Sequence, residues 1–192
     1  MIILTLKQGD ITKEPVDAIV NAANERMLGG GGVDGFIHKV AGPGLINECY
    51  QVPIVSGEGT DYEVRCPTGE ARITGGHNLP ARYVIHTVGP KCPRGIAEPE
   101  HKRLLKNCWI NSLALADHYG LSTIAFPSIA TGGYLFPIEE AAKIASDAIK
   151  EFEINNQNTS IKEIIIVTFT NEDYKVYDKV IRGEQFGLDY IT

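Results

Sequence analysis

Short runs of β-branched and other apolar residues alternate along the chain with longer segments in which apolar residues recur every three or four positions. The short runs predict strands, and the longer segments predict amphipathic helices. The predicted strands are residues 2–6, 17–20, 71–74, 83–88, 122–126 and 163–169. Strands that alternate with helices are typical of an α/β domain in which helices cover a sheet.

Three of the predicted helices have clear end signals. One ends near His118 before a glycine, a second begins after Pro137 with two acidic residues in its first turn, and a third ends at Gly183. Residues 53–69 are rich in turn residues and have no clear period, which predicts an irregular surface segment. Because no repeat, charge block or low-complexity linker divides the chain, we expect residues 1–192 to form a single three-layer α/β/α domain.

The composition narrows the class of protein. The 192 residues carry 18 Lys and Arg against 24 Asp and Glu, a net charge of −6, with 43% hydrophobic residues. Such a chain can bury its own core, and its acidic charge argues against sequence-specific nucleic-acid binding. The sequence lacks a long apolar run and a leader-like start, so we expect a cytoplasmic protein that does not contact a membrane. Its four cysteines form no C-x-x-C pair, so we expect free thiols.

Glycine is concentrated in one part of the chain. Seven of the 20 glycines lie within residues 29–44, after the strand at 17–20 and at the start of a helix that opens near Val33. Glycine costs backbone entropy, so such a cluster needs a reason. Exposed N–H groups beside a helix N-terminus form a ready anion site.

A second glycine-containing loop repeats this arrangement. Residues 128–134 follow the strand at 122–126 and precede another helix. No Lys or Arg occurs within 27–38 or 121–142, so any phosphate here would be held by backbone amides. One such loop would be explained by tight packing, but two matched loops favour a shared ligand.

The pattern Gly30-x-Gly32-x-x-Gly35 also fits the dinucleotide-binding motif of nicotinamide enzymes. However, about nine residues separate these glycines from the strand, and the acidic residue expected about 20 positions later is missing. No Gly-Lys-Ser/Thr of a Walker A loop follows. A nicotinamide-dependent oxidoreductase is therefore disfavoured.

Several motifs occur in a specific order between about residues 3 and 181. They are Gly9-Asp10-Ile11-Thr12, Val20-Asn21-Ala22-Ala23-Asn24, GGGGVDG, CPTGEA and ATGGY. In this ordered set the chain resembles macrodomains of the MacroD type. The resemblance implies a three-layer α/β/α macrodomain fold with a central mixed sheet, and recognition of ADP-ribose.

Members of this subclass remove mono-ADP-ribose from acidic side chains of proteins and deacetylate O-acetyl-ADP-ribose. They need neither a metal nor another cofactor. The resemblance thus implies a monomeric hydrolase whose partners are ADP-ribose and ADP-ribosylated proteins. Other macrodomains only bind the ligand, so a non-catalytic ADP-ribose reader is the alternative.

The resemblance assigns three residues to the adenine. Asp10 would accept a hydrogen bond from the adenine amino group, Ile11 would add a neighbouring backbone contact, and Phe169 would stack on the base. An Asx turn is the simpler explanation of Asp10, and the two roles are compatible. A buried core position is the alternative for Phe169.

The two loops would bind the phosphates and the distal ribose through backbone groups. By resemblance, the residues involved are Gly31, Gly32 and Val33 on one side, and Ser128, Ile129, Ala130, Thr131, Gly132 and Gly133 on the other. Tyr134 would lie over the distal ribose and limit the entry of water. Alternatively, it shields its own loop.

Two residues are assigned to catalysis by the resemblance. Asn24 would hold the distal ribose hydroxyls, unless it is an ordinary turn asparagine. Asp34 would orient or deprotonate a water, and the dipole of its helix would keep it ionised; favourable placement in the first helical turn is the alternative reason for an Asp there. We interpret Asn21 as a supporting residue and His38, four positions after Asp34, as a packing residue. His86 is interpreted in the same way as His38.

Some positions depart from the subclass pattern. Ala130 replaces a serine, Gly133 replaces a branched residue, Leu135-Phe136 replaces Gly-Tyr, and Thr170 lacks the expected acidic character. These changes surround Asn24 and Asp34 without altering them, so they leave the substrate preference open.

Overall fold

A computed structural model describes residues 1–183 and 189–191 of the chain. Its described part contains a seven-stranded sheet in the order β3-β4-β2-β5-β6-β1-β7. The strands are β1 (Ile3–Gln8), β2 (Ala18–Ala22), β3 (Ala71–Gly75), β4 (Tyr83–Thr87), β5 (Thr123–Phe126), β6 (Glu163–Thr168) and β7 (Asp189–Ile191). Among the described strands β3 alone pairs in antiparallel fashion, with β4, so the sheet is mixed as predicted.

Helices cover both faces of this sheet. The helices are α1 (Gly32–Ala41), α2 (Pro43–Gln51), α3 (Pro99–His118), α4 (Ile138–Asn155) and α5 (Asn171–Gly183). Helices α3, α4 and α5 pack on one face and α1 and α2 on the other, which confirms the three-layer α/β/α architecture. The predicted ends at His118 and Gly183 and the start after Pro137 are confirmed. Helix α2 and strand β7 were not predicted.

The alternation of side chains along β6 shows how the two cores form. Ile164 and Ile166 pack against the face covered by α3, α4 and α5, while Ile165 and Val167 pack against the opposite face. Successive side chains of a strand point to opposite faces, so a central strand that is apolar at every position is buried on both sides.

The parallel strands fix the position of the candidate site. Strands β2, β5, β6 and β1 are neighbours and parallel, so their carboxyl ends lie at one edge of the sheet. Asn24 follows β2, the loop at 127–137 follows β5, Phe169 follows β6 and Asp10 follows β1. Ligands of open α/β sheets bind at such an edge.

The remaining predictions about the fold concern residues 53–69 and the cysteines. Residues 53–69 are irregular, as predicted, with an isolated bridge between Ser56 and Val64. All four cysteines are buried free thiols, also as predicted. Within the described ranges, none of the helices has the length and apolar character needed to cross a bilayer.

Candidate functional site

A cleft of about 700 Å³ opens at the edge where the parallel strands end. The predicted site residues that line it are Asp10, Ile11, Asn24, Gly31, Gly32, Val33, Asp34, Ser128, Ala130, Thr131, Gly132, Gly133, Tyr134 and Phe169. Ile129 is the exception: its side chain is 1% exposed and packs in the core under α3, α4 and α5. Its branched apolar side chain anchors the loop instead of facing the cleft.

The first wall of the cleft is the start of α1. Its N-cap residue, Gly31, provides no side-chain cap for the first turn of the helix. A Cβ atom added to Gly31 or Gly32 would meet nothing within 4 Å, and Gly32 has a φ of +59°, which favours glycine. The first-turn N–H groups therefore face the cleft without side-chain cover, as an anion site requires.

The second wall is the loop that follows β5. The carbonyl of Ala130 accepts a hydrogen bond from Phe136 N at 3.0 Å, and the carbonyl of Gly132 accepts one from Leu135 N at 2.9 Å. Ala130 and Leu135 both have positive φ angles, 65° and 58°. A Cβ on Gly132 or Gly133 would again meet nothing within 4 Å. The loop is thus closed on itself by backbone bonds and presents bare backbone to the cleft.

The hydroxyl groups of this loop are already paired. Thr131 Oγ1 donates to Ser128 Oγ at 2.7 Å, and Ser128 Oγ lies 3.0 Å from the hydroxyl of Tyr177, which is fully buried in α5. These bonds tie the loop to α5. They leave the main chain as the principal donor toward the cleft.

Asp34, at the third position of α1, is the most buried acidic side chain of the site, with 2% exposure. Asn21 Nδ2 donates to its Oδ1 at 2.7 Å, while Oδ2 has no hydrogen-bond partner in the described part of the chain. Burial raises the pKa of Asp34, although the Asn21 hydrogen bond and the charge of His38 act in the opposite direction. Desolvation thus has the largest effect on the pKa of Asp34, and the expectation that the helix dipole keeps this residue ionised stays a prediction.

His38 lies next to the carboxylate of Asp34, which its interpretation as a packing residue did not predict. Its Nε2 lies 3.4 Å from Asp34 Oδ1, within ion-pair range when the imidazole is protonated. The spacing of four residues on one helix brings the two side chains together. The sequence signal for this pair was the spacing of four residues between Asp34 and His38. The mostly apolar helix around His38 favoured a packing role instead.

Asn21 connects Asp34 to a fully buried histidine on the neighbouring strand. Its Nδ2 lies 3.1 Å from His86 Nδ1, and His86 Nε2 lies 2.9 Å from Thr74 Oγ1. Burial lowers the pKa of His86 to about 3, so the ring is neutral. Because Nδ1 accepts from Asn21, the ring proton is on Nε2 and points to Thr74. These hydrogen bonds fix the orientation of the Asn21 amide, in agreement with the interpretation of Asn21 as a supporting residue.

The neutral His86 gives the protein a predictable acid sensitivity. In the unfolded chain this histidine binds a proton below its ordinary pKa of 6.5, whereas the folded protein leaves it neutral down to about pH 3. Its contribution to stability is thus present above pH 6.5 and is lost as the pH falls toward 3. Between these pH values the unfolding free energy should fall by up to about 1.4 kcal/mol per pH unit, the value for uptake of one proton on unfolding.

Urea unfolding of the wild type and of His86→Gln at several pH values between 7.5 and 4 measures this contribution. The difference in unfolding free energy between the two proteins should shrink as the pH falls. His118→Gln, at an exposed histidine, serves as the matched control. A difference that stays constant with pH would contradict a neutral buried His86.

Asn24 follows β2 and shapes the loop that leads to the glycines. Its Oδ1 accepts from Arg26 N at 3.1 Å, and its Nδ2 donates to the carbonyl of Gly29 at 2.9 Å. Asn24 therefore acts as a turn asparagine, the role that the sequence analysis gave as the alternative to ribose binding. A Cβ on Gly30 would lie 3.2 Å from Asn24 Nδ2 and 3.0 Å from Asp34 Oδ2, so the amide and the carboxylate are neighbours. Its contact with the ribose stays a prediction.

Asp10 lies at the other end of the cleft. Its Oδ1 accepts hydrogen bonds from Thr12 N at 3.0 Å and from Thr12 Oγ1 at 2.6 Å, which confirms the Asx turn. These bonds lower the pKa of Asp10, the side-chain bond most of all, so it is an ionised acceptor. Oδ2 lies 3.7 Å from Lys13 Nζ and takes no part in the turn.

Two aromatic rings stand beside this end of the cleft. Phe169 is 73% exposed, so its alternative as a core residue is wrong. Phe36, on α1, was not predicted as a site residue but also lines the cleft. The other lining residues, to which the sequence analysis assigned no role in the site, are Gly9, Thr12, Ala22, Ala23, Gly30, Gly89, Pro127, Val167, Thr170 and Asp173.

Tyr134 is partly buried and lines the cleft as the last residue of the second loop. Its carbonyl accepts a hydrogen bond from Cys92 N at 2.8 Å, and Lys91 Nζ lies 5.4 Å from its ring centroid. Burial raises the pKa of its hydroxyl, which keeps the ring neutral. The hydrogen bond from Cys92 fixes the backbone of the loop at Tyr134.

The charges of the cleft support binding by backbone donors. The acidic lining residues are Asp10, Asp34 and Asp173, and the lining set of the described chain contains no Lys or Arg. Residues 1–183 and 189–191 contain no cluster of three or more His, Cys, Asp or Glu side chains placed to hold a metal ion. An anion in this cleft would be stabilised by N–H groups and helix dipoles.

Comparison with known proteins shows similarity to macrodomains along most of the chain. The model of the Macro domain family matches residues 20–145. The ADP-ribose glycohydrolase MACROD2 of Homo sapiens is 47% identical over 186 residues, which are 97% of this chain and 40% of that protein. This chain therefore spans about 40% of the length of that relative.

Solved structures agree with the sequence comparison. The macrodomain of Oceanobacillus iheyensis with ADP is 43% identical, has a TM-score of 0.82, and is matched over 93% of this chain and 89% of its own. The Trypanosoma brucei macrodomain in complex with ADP-ribose is 39% identical, with a TM-score of 0.80, over 93% and 68% of the two chains.

Proposed function

The chain belongs to the macrodomain family, and we propose that it binds ADP-ribose and hydrolyses the bond between mono-ADP-ribose and acidic side chains of proteins. The observation that carries this proposal is the placement of one buried carboxylate, Asp34, with an unpaired oxygen beside a wall of bare backbone donors. The relatives named as ADP-ribose glycohydrolase, and the similar structures with ADP or ADP-ribose, support it.

The dimensions and the ordering of groups along the cleft suit this ligand. A volume of about 700 Å³ falls within the range of small-molecule sites. The diphosphate would lie between residues 31–33 and 130–133, with adenine toward Asp10 and Phe169. The distal ribose would then lie toward Asn24 and Asp34.

In this arrangement Asp34 acts on water. The raised pKa makes its carboxylate a better base than an exposed Asp, while the Asn21 hydrogen bond and the charge of His38 oppose that rise. Asp34 would take a proton from a water that attacks C1″ of the ribose. The C1″–O ester bond breaks, the acceptor side chain leaves as a carboxylate, and Asp34 returns the proton to solvent. The alternative attack on the acyl carbon gives the same products.

The same site would deacetylate O-acetyl-ADP-ribose. Water activated by Asp34 would add to the acetyl carbonyl, the acyl C–O bond would break, and acetate would leave as the ribose oxygen takes a proton. No group other than water is consumed. This reaction needs only that the acetyl ester be held beside Asp34 by the same diphosphate contacts.

Turnover is the test of the proposal. The protein is incubated with a substrate protein mono-ADP-ribosylated on Glu or Asp and, separately, with O-acetyl-ADP-ribose, and free ADP-ribose is quantified by mass spectrometry. We expect product in both reactions and none without the protein. Saturable calorimetric binding of ADP-ribose without any product would instead identify a reader module.

A further inference from the structure

Phe36 and Phe169 form an unusual pair on the surface of the protein. They are 56% and 73% exposed although both are large apolar side chains, and both line the cleft. Their ring centroids are 6.4 Å apart, with an angle of 25° between the ring planes. Two large rings that face each other while leaving most of their surface to water are poised to bury that surface against something flat.

The spacing of the two rings suits a third ring between them. Contact between carbon atoms of stacked groups needs about 3.5 Å on each side, so an inserted planar ring requires about 7 Å. The present separation of 6.4 Å is slightly shorter. Exposed side chains change rotamer within nanoseconds, so a small rotation of Phe36 or Phe169 opens this space.

The neighbouring groups indicate which flat ligand fits. Helix α1, which carries Phe36, packs against the short helical turn at Ile11–Lys13 that Asp10 caps. The Oδ2 atom of Asp10 is not used in that turn. An ionised acceptor beside two aromatic faces recognises a planar base with an exocyclic amino group, and adenine has both features.

We propose that Phe36 and Phe169 form a two-sided clamp in which Phe36 stacks on the face of adenine that is turned away from Phe169. This inference rests on the proposed function and adds a binding residue that the sequence motifs do not contain. Phe36 lies on the exposed side of α1, so the clamp is built on a rigid helix on one side and on the end of β6 on the other. A purine would therefore be preferred over a smaller pyrimidine.

Calorimetric titration with ADP and with UDP tests the clamp. Phe36→Ala should bind ADP roughly tenfold more weakly than the wild type, the size of effect that stacking contributes in other proteins. Phe36→Leu keeps apolar volume but has no ring, so its affinity for ADP should fall by most of the same factor. In both variants the preference for ADP over UDP should decrease. Val40→Ala, one turn later on the same helix and 40% exposed, is the matched control and should bind like the wild type.

A second measurement reports stacking directly. In the wild type, the H2 and H8 protons of bound ADP should shift upfield in NMR spectra because they lie between two rings. Phe36→Leu should reduce these shifts while its melting temperature stays at the wild-type value. Binding of ADP by Phe36→Ala within twofold of the wild type, or shifts unchanged in Phe36→Leu, would overturn the clamp.

The clamp and the proposed function can fail separately. If the wild type binds ADP-ribose and releases product but the Phe36 variants bind ADP normally, the clamp is wrong and the function stands. If the wild type binds neither ADP nor ADP-ribose, both are wrong.

Discussion

Asp34→Asn is expected to reduce the release of ADP-ribose from a modified protein by at least about a hundredfold, because general-base catalysis contributes that much or more. Its affinity for ADP-ribose should change by less than about threefold. The new amide can still accept the hydrogen bond that Asn21 donates at 2.7 Å, but it cannot take a proton from water. Single-turnover release and calorimetric binding measure the two effects separately.

The same substitution should make the protein more stable at neutral pH. Burial raises the pKa of Asp34 above its ordinary value of 3.8, so the ionised side chain destabilises the folded state. This cost is absent below pH 3.8 and appears as the pH rises through the folded-state pKa. Asp34→Asn should therefore melt at a higher temperature than the wild type at pH 7, and the difference should vanish near pH 4.

Asp61→Asn, which removes the same charge from an exposed loop position, is the control for both measurements. It should retain product release and show no pH-dependent gain in melting temperature. Normal product release by Asp34→Asn would remove Asp34 from the mechanism. A lower melting temperature at pH 7 would show that its charge stabilises the fold, contrary to the direction inferred from burial.

Gly132→Glu is expected to weaken ADP-ribose binding by more than about a hundredfold. Backbone amides hold charged groups through hydrogen bonds worth about 1.5–3 kcal/mol each, and the substitution blocks several of them while adding a repelling charge. The fold should tolerate the change, since a Cβ on Gly132 would meet nothing within 4 Å and the residue lies in a surface loop. Calorimetry measures the loss of affinity, and circular dichroism with thermal melting checks the fold.

Gln157→Glu adds the same charge in an exposed turn away from the cleft and is the matched control. It should bind ADP-ribose like the wild type. If Gly132→Glu also binds normally, the loop after β5 does not face the phosphates. If both variants bind weakly, the effect comes from net charge and not from the loop.

The fold was predictable because its signals are local. The alternation along β6 and the period of α4 both follow from burial on defined faces, and Gly120 and Pro137 mark the limits of their helices. Helix α2 was missed because it begins in a Gly-Pro-Gly segment, although Leu45 and Cys49 give it an apolar face. Strand β7 has only three residues, too few to show a period.

The site was predictable to the extent that its residues form motifs. Asp10, Asn24 and Asp34 each belong to one of the ordered motifs, and all three line the same cleft. Properties that depend on the environment were not accessible. The raised pKa of Asp34 comes from burial, and the role proposed for Phe36 comes from its distance to Phe169, which lies 133 positions away in the chain and on a different element.

Crystals of the protein soaked with ADP-ribose would show whether backbone N–H groups hold the diphosphate and place the distal ribose beside Asp34. We expect density for the diphosphate within hydrogen-bond distance of main-chain N–H groups in residues 31–33 and 130–133, with the distal ribose next to the Oδ2 atom of Asp34. Density for the diphosphate against side-chain cations elsewhere, or a distal ribose far from Asp34, would contradict it.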